Sequence, residues 1–306
     1  MLDLHRLRLL RELSARGTVH SAARSLGYSP SAISQQLAVL EREAGAKLLE
    51  RTGRNVRLTD AGQALVRHAA VLLDGMEAAE AEVAAIAAGR PTGVVRVSAF
   101  QSAFLRIVAP AVAALAQSHP DIRLEVTEAE VEASIPALRL RQLDAVVGDE
   151  YSDQPRPVHA DLARESLVRE QVRLVLPETH PLASNPRVQM AQLAEAQWAA
   201  CQPGTGHRDM QIRACRALGG FEPDLRYASD DFLILVEMVR SAGACALLPD
   251  LVLGYGVPGV AVRTLAEGTI DREVFLLTRA ARTPAIEVVA AALHAAVLPV
   301  DESAEE

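Results

Sequence analysis

The apolar positions of this chain change period along its length, and each change marks a different kind of structure. Between residues 18 and 59 the spacing is that of short helices. Thr18 caps a helix over Val19–Leu26, and Gly27, which takes the left-handed conformation without strain, ends it. Ser29 caps a second helix, with Pro30 at its first position, where a missing N–H costs nothing. Ile33, Leu37 and Leu40 recur there at i, i+4 and i+7 and predict one buried stripe. Ser31, Ser34, Gln35, Ala38 and Arg42 fall on the far side. The period then drops to that of a hairpin, with strands at 48–51 and 56–58 flanking the turn Thr52-Gly53-Arg54-Asn55.

From residue 60 the pattern becomes a heptad. Leu65, Ala69, Leu72, Met76, Ala79, Val83 and Ile86 step by 4, 3, 4, 3, 4 and 3, the seam of a coiled coil. With Thr59 as cap and Ala88 as the last residue, this helix is roughly 43 Å long. A small domain cannot cover such a seam, so a helix from a second copy is the expected partner. Packing on the chain's own body is the alternative. Gly75 weakens the middle by about 1 kcal/mol relative to alanine.

Gly89-Arg90-Pro91-Thr92-Gly93 breaks the helix and predicts a domain boundary. Strands and helices alternate beyond it. Strands at 94–97, 122–127 and 145–147 enclose helices at 104–117 and 134–141. Strands at 171–176, 198–201, 225–228 and 244–248 follow, with helices at 205–218 and 232–241. A strand at 273–278 and a helix at 285–298 return to the first unit. Short connections predict parallel sheets in two α/β lobes, joined by crossing segments, with a cleft beyond the carboxyl ends of the strands.

Composition narrows the function. The 306 residues are half apolar, 3% aromatic and 23% charged. No run of about 18 uncharged apolar residues occurs, so no membrane span is expected. The opening MLDLHRLRLL is interrupted by Asp3, Arg6 and Arg8 and does not have the form of a secretory leader, so a cytoplasmic location is expected. Cys201, Cys215 and Cys245 form no CxxC pair and are expected as reduced, buried small hydrophobes. No GxxxxGK[ST], GxSxG or HExxH occurs, so no enzyme, cofactor or metal site is expected. The net charge of −8 argues against a nucleic-acid partner until it is divided. Residues 1–58 hold ten Lys/Arg and five Asp/Glu, a balance of +5; residues 59–89 hold one against five, −4; the remainder is −9. A basic head on an acidic body suits orientation on a phosphate polymer.

The head pattern is a helix-turn-helix with a wing. A small polar helix face fits a major groove, where Ser and Gln bond base edges. The helix start at Ser29 offers N–H groups to phosphate. Arg51, Arg54 and Arg57 suit phosphate or minor-groove contact. An ordinary solvated face is the plain alternative. The order S-A-A-R-x-L, then S-P-S-A-I-S-Q-Q-L-x-x-L-E, then G-x-K-L-L-E-R-x-G-R-x-V-x-L-T-x-A-G resembles the DNA-binding domain of LysR-type transcriptional regulators. H-P-L-A at 180–183 and V-R-S-A-G-A-C-A-L-L-P at 239–249 resemble landmarks of that family's effector domain. The resemblance implies an α/β chain with an N-terminal winged helix-turn-helix, a long linker helix and a two-lobed α/β effector-binding domain similar to periplasmic binding proteins. The segments would be 1–58, 59–89 and 90–306, with lobe I at about 90–161 and 267–306 and lobe II at about 162–266. Ser31, Ser34, Gln35 and Gln36 would face double-stranded promoter DNA, with Arg51 and Arg54 helping from the wing. The linker helix would make a homodimer, a homotetramer also being open, and RNA polymerase would be a further partner.

The strand ends supply the candidates for a small-molecule metabolite. These are Ser98, Phe100, Gln101 and Ser102 in SAFQS, Thr127 and Gly148 at the ends of the second and third strands, Gln202 and Thr205 in CQPGTG, and Asp230. The resemblance singles out Gln101, Ser102, Gln202 and Thr205. Ser102, Thr205 and Asp230 are equally candidates for helix caps. Hydroxyls beside helix N-termini favour an anionic group. Glu128, Glu130, Glu132, Asp149 and Glu150 form an acidic rim that argues the other way, and an amino acid reconciles the two. A redox response through Cys201 is an alternative. So is an α/β binding protein or enzyme without a regulatory role, against which the winged head stands.

Overall fold

The computed structural model describes residues 1–52, 55–159, 161–254 and 256–297, and the backbone alone at 51, 52 and 55. It divides into two packed units. The first holds Met1–Thr92 with the short segments His159–Ala163 and Arg279–Glu287; the second holds Gly93–Val158, Arg164–Thr278 and the chain from Val288.

Three helices open the first unit: α1 Leu4–Arg16, α2 Val19–Leu26 and α3 Pro30–Ala44. Thr18 Oγ1 accepts from the Ser21 N–H at 3.1 Å and Ser29 Oγ from the Ala32 N–H at 3.1 Å, the two expected caps. Gly27 has φ 71°. The stripe Ile33, Leu37 and Leu40 is buried with Ala22, Ala23 and Leu48. Helix α1 was not expected from the pattern. Its Leu7, Leu9, Leu10 and Leu13 are all buried, because α1 packs on α2, on α3 and on the linker helix at once. A helix covered on several sides loses the single apolar stripe that periodicity detects.

The wing pairs β1 Leu49–Thr52 with β2 Asn55–Leu58, from Leu49↔Leu58 to Thr52↔Asn55. Glu41, near the end of α3, accepts from the Leu48 and Leu49 amides at 3.0 and 3.2 Å and pairs with Lys47 at 3.0 Å. Burial opposes its ionisation, but these three donors outweigh it and hold the carboxyl below its ordinary range. These bonds tie the end of α3 to the start of β1.

Helix α4, Asp60–Ala88, starts at the Thr59 cap, where Oγ1 accepts from the Gly62 N–H at 3.1 Å and donates to the Lys47 carbonyl at 2.7 Å. Leu65, Val66 and Ala69 join the head core. The later seam positions lie open in the single chain: Leu72 is 51% exposed, Met76 46%, Val83 67% and Ile86 74%.

Two glycines of α4 carry opposite expectations. A Cβ on Gly62 would stand 2.2 Å from the Leu48 carbonyl oxygen, whereas one on Gly75 would meet nothing within 4 Å. Gly62→Ala should lower stability by at least about 1–3 kcal/mol through overpacking. Gly75→Ala should raise it by up to about 1 kcal/mol. Thermal unfolding of the two variants should show shifts of opposite sign.

The second unit begins with β3 Gly93–Ala99 and α5 Gln101–Ala103, which continues through the π-type turn Phe104–Val108 into α6 Ala109–Ser118. β4 Ile122–Glu128, α7 Val131–Arg139 and β5 Ala145–Tyr151 complete this half. Then come β6 Leu162–Pro177, β7 Arg187–Val188, β8 Gln197–Ala200, α8 Gly206–Ala214 and β9 Asp224–Ala228. The chain goes on with α9 Phe232–Ala242, β10 Ala246–Pro249, α10 Asp250–Leu253, β11 Val260–Leu265, β12 Ile270–Arg279 and α11 Pro284–Ala295, of which Arg279 and the start of α11 count with the first unit.

The sheets correct one expectation. β3 is parallel to β4 and β5, and β8 to β9, as the βαβ pattern predicts. β12, however, is antiparallel to β5, and β10 and β11 are antiparallel to β6. Eight strands form one mixed sheet in the order β4-β3-β5-β12-β6-β11-β7, with β10 also on β6. The crossing segments β6 and β12 enter that sheet as strands, so both lobes are built on it. β6 has 16 residues, where the apolar Val172, Leu174, Val175 and Leu176 predicted a short strand at 171–176. Its first half, LARESLVRE, alternates too many charges to read as sheet from sequence. β7 and β11 were likewise not expected.

Candidate functional site

On α3, Ser31, Ser34 and Gln35 are exposed. Ser34 Oγ donates to the Pro30 carbonyl at 2.9 Å, and Ser31 Oγ lies 3.0 Å from Ser29 Oγ. Gln36 differs: its Oε1 accepts from Arg6 Nε at 3.0 Å, so it is turned toward α1. Arg54 and the side chain of Arg51 lie outside the described residues. Every acid of the head is engaged internally. Asp3 caps α1 at the Arg6 amide (3.0 Å), Glu12 pairs with Arg16 (2.9 Å), Glu41 with Lys47 (3.0 Å), Glu43 with Arg6 (2.6 Å) and Glu50 with Arg57 (2.5 Å). Arg24 and Arg42 are exposed and have no ion pair among the described residues. A groove of about 360 Å³ runs between the starts of α2 and α3 and the wing, lined by Thr18, His20, Ser31, Ser34 and Val56.

In the second unit the candidate strand ends converge on a residue the sequence did not single out. Arg272 on β12 is 1% exposed. Its Nε donates to Glu170 at 2.8 Å, its Nη1 to Asp149 at 3.3 Å and its Nη2 to Ser102 Oγ at 3.1 Å. Its guanidinium stands over the Phe100 ring, 4.9 Å from the centroid. With Glu150 and Glu273, Arg272 and Glu170 also line a pocket of about 500 Å³ beside the crossing strands.

The two lobes are tied directly. Gln101 donates from Nε2 to Asp231 and accepts at Oε1 from the Phe232 amide at 2.8 Å. Glu132 accepts from the Gly206 amide at 3.3 Å and from Arg156 at 2.9 Å. Thr205 caps α8, accepting from the Arg208 amide at 3.3 Å. Asp230 accepts from the Gln202 amide at 2.8 Å, and it is Asp231 that caps α9, so the reading of Asp230 as a cap is corrected. Thr127 is exposed at the end of β4. Gly148 is a close-approach glycine: a Cβ there would lie 2.7 Å from Val131 and 2.8 Å from Phe275.

Residues 4–63 match the model of the bacterial regulatory helix-turn-helix protein, lysR family, and residues 88–297 match the LysR substrate binding domain. The chain belongs to the LysR family. It is a LysR-type transcriptional regulator with a DNA-binding and an effector-binding domain. The transcriptional dual regulator GltC of Bacillus subtilis is 26% identical over 86% of this chain and 85% of its own length. The small neutral protease regulatory protein of Streptomyces coelicolor is 30% identical over 96% of this chain and 93% of its own. Among solved structures, a full-length OxyR variant from Pseudomonas aeruginosa shares the fold, with TM-score 0.66 at 23% identity over 96% and 95% of the two chains.

Burial sets the electrostatics of this LysR-type effector domain. Glu130 is pushed up to about 8, by burial first and then by Asp149, Glu132 and Asp230. Asp149 and Glu170 are raised by burial, with Arg272 opposing. His207 is lowered to about 4 by burial, and its Nε2 lies 2.8 Å from the Leu247 carbonyl. The Cys201 thiol is pushed far up by burial and by neighbouring carboxylates. Cys215 and Cys245 are pushed up to about 12, burial being the main cause. Cys201 and Cys215 also sit in different core clusters. A redox response needs an accessible thiolate, and a buried thiol held protonated at Cys201 does not provide one.

The buried pair Arg272 and Glu170, and the buried His207 and Tyr151, escaped the sequence reading. One signal existed: Arg272, Val274 and Leu276 share strand parity, which places a cation on a buried face.

Proposed function

We propose that α3 reads promoter DNA through Ser31, Ser34 and Gln35, with Ser29 at the helix start, in a head spanning 1–58. The single observation carrying this reading is that exposed, acid-free face on a head whose every carboxylate is internally engaged. Two copies meet along the linker helix at 59–89, which places two recognition helices on a two-fold operator. The body from 90 onward binds a small metabolite between its lobes, by binding rather than catalysis, and so shifts the geometry of the pair on DNA and its encounter with RNA polymerase. The regulator acts in the cytoplasm, where promoter DNA lies. Arg54 and Arg51 remain wing contacts on the family pattern alone.

Gln35→Ala should cost about 1–3 kcal/mol of operator binding and relax base preference. Arg42→Ala should weaken binding to every duplex alike and reduce the salt slope by about one. Binding titrations on the chain's own promoter region and on random duplex, at several salt concentrations, separate the two. Equal losses on both duplexes for Gln35→Ala would remove that residue from base reading.

A further inference from the structure

The groove between the starts of α2 and α3 holds a side chain that base reading by α3 leaves unused. His20, in the first turn of α2, is exposed and lines that groove of about 360 Å³ with Thr18, Ser31, Ser34 and Val56. Among the described residues no Asp, Glu, Lys or Arg lines it. The amides of Val19 and His20 in α2, and of Ser31 in α3, carry no hydrogen bond among the described residues, because a first turn leaves its own N–H groups unbonded. An acid-free groove of N–H and O–H groups, beside the exposed face of α3, fits a backbone phosphate of the duplex that α3 enters.

Histidine is the side chain type that changes charge within the working pH range of a cell. A neutral imidazole meets phosphate only as a hydrogen-bond donor from one ring nitrogen. An imidazolium donates from both and also releases a counterion from the duplex, as an arginine does. The charged groups nearest His20 are few. Arg24 lies one turn on along α2 and is exposed. On α1, Glu12 and Arg16 are paired with each other at 2.9 Å, and on β2 Arg57 is paired with Glu50 at 2.5 Å. Arginines, those of the wing included, keep their charge at every working pH. The imidazole is therefore the group on this face whose charge follows pH.

Resting on the reading of α3 as the recognition helix, we propose that His20 is a further DNA contact that holds a backbone phosphate as the imidazolium, so that the regulator grips DNA more tightly as pH falls. The sign follows from charge. The protonated ring attracts phosphate and the neutral ring forgoes the counterion release, so affinity falls as pH rises. The test titrates full-length protein onto its own promoter region and onto random duplex, at several salt concentrations, near about pH 5.5 and about pH 8. On both duplexes the salt slope should be steeper at the lower pH by about 0.9 per bound head, which at about 0.1 M salt is roughly tenfold in affinity per head. His20→Arg should keep the steep slope at both pH values, and His20→Gln the shallow one. His5→Gln changes the other histidine of the head, whose ring packs on Tyr28 outside the groove, and should leave the pH dependence intact. Glu130, pushed up to about 8, titrates in the same range, but it is common to all four proteins and cancels in the comparison. A slope that does not change with pH in the unaltered protein, or a change that persists in His20→Gln, would overturn the proposal, and the reading of α3 would stand as long as Gln35→Ala still relaxes base preference. Base preference untouched by Gln35→Ala would remove that reading instead, while the slopes still decide His20.

Discussion

Arg272→Met is expected to destabilise the effector domain by roughly 3–5 kcal/mol, the cost of breaking a buried ion pair by removing one partner. Arg272 is 1% exposed and meets Glu170, Asp149 and Ser102. Without it, two carboxyls already raised by burial lose their main opposing charge and rise further. A carboxyl whose folded pKa is raised contributes stability below its unfolded pKa and loses it as pH rises through the folded value. The deficit should therefore be smallest near about pH 4 and widest at neutral pH. Urea unfolding at both pH values measures it. Arg272→Met with Glu170→Leu should recover part of the loss, since an apolar pair replaces a buried ionic one at little cost. A neutral-pH loss under about 1 kcal/mol would place the pair among solvated ones.

Leu72→Asp with Met76→Asp should convert the dimer to monomer. Both residues are about half exposed in the single chain, on a seam that Val83 and Ile86 continue. Burying one leucine-sized side chain contributes about 1.5–3 kcal/mol, and each interface buries it twice. The double variant removes that gain and presses like charges into the seam. The dimer dissociation constant should rise at least about a thousandfold, equivalent to about 4 kcal/mol. Sedimentation against concentration reads this directly. Val71→Asp, exposed but off the seam, should leave the dimer intact. An unchanged dimer in the double variant would place the contact elsewhere on the chain.

The sequence by itself determined the head's recognition elements, the linker helix and the alternation of the body. Their signals are local. The caps Thr18, Ser29 and Thr59 each bond an amide three residues on, and the stripe Ile33, Leu37 and Leu40 repeats within a few turns. Interactions that close over three or four residues are written in spacing. Helix α1 and the polar half of β6 were hidden, because burial on several sides and charged alternation both blur a period.

Only the tertiary structure decided the cleft. Arg272 finds Glu170 from 102 residues away and Ser102 from 170, and Gln101 reaches the Phe232 amide from 131. No spacing rule carries such pairings. The sequence correctly named Ser102, Gln101, Thr205 and Asp230 as strand-end residues. It could not show that polar groups of Gln101, Ser102, Thr205 and Asp230 are used internally. A side chain's type says what bonds it can form, but which of them are already made depends on neighbours that only folding brings within 3 or 4 Å.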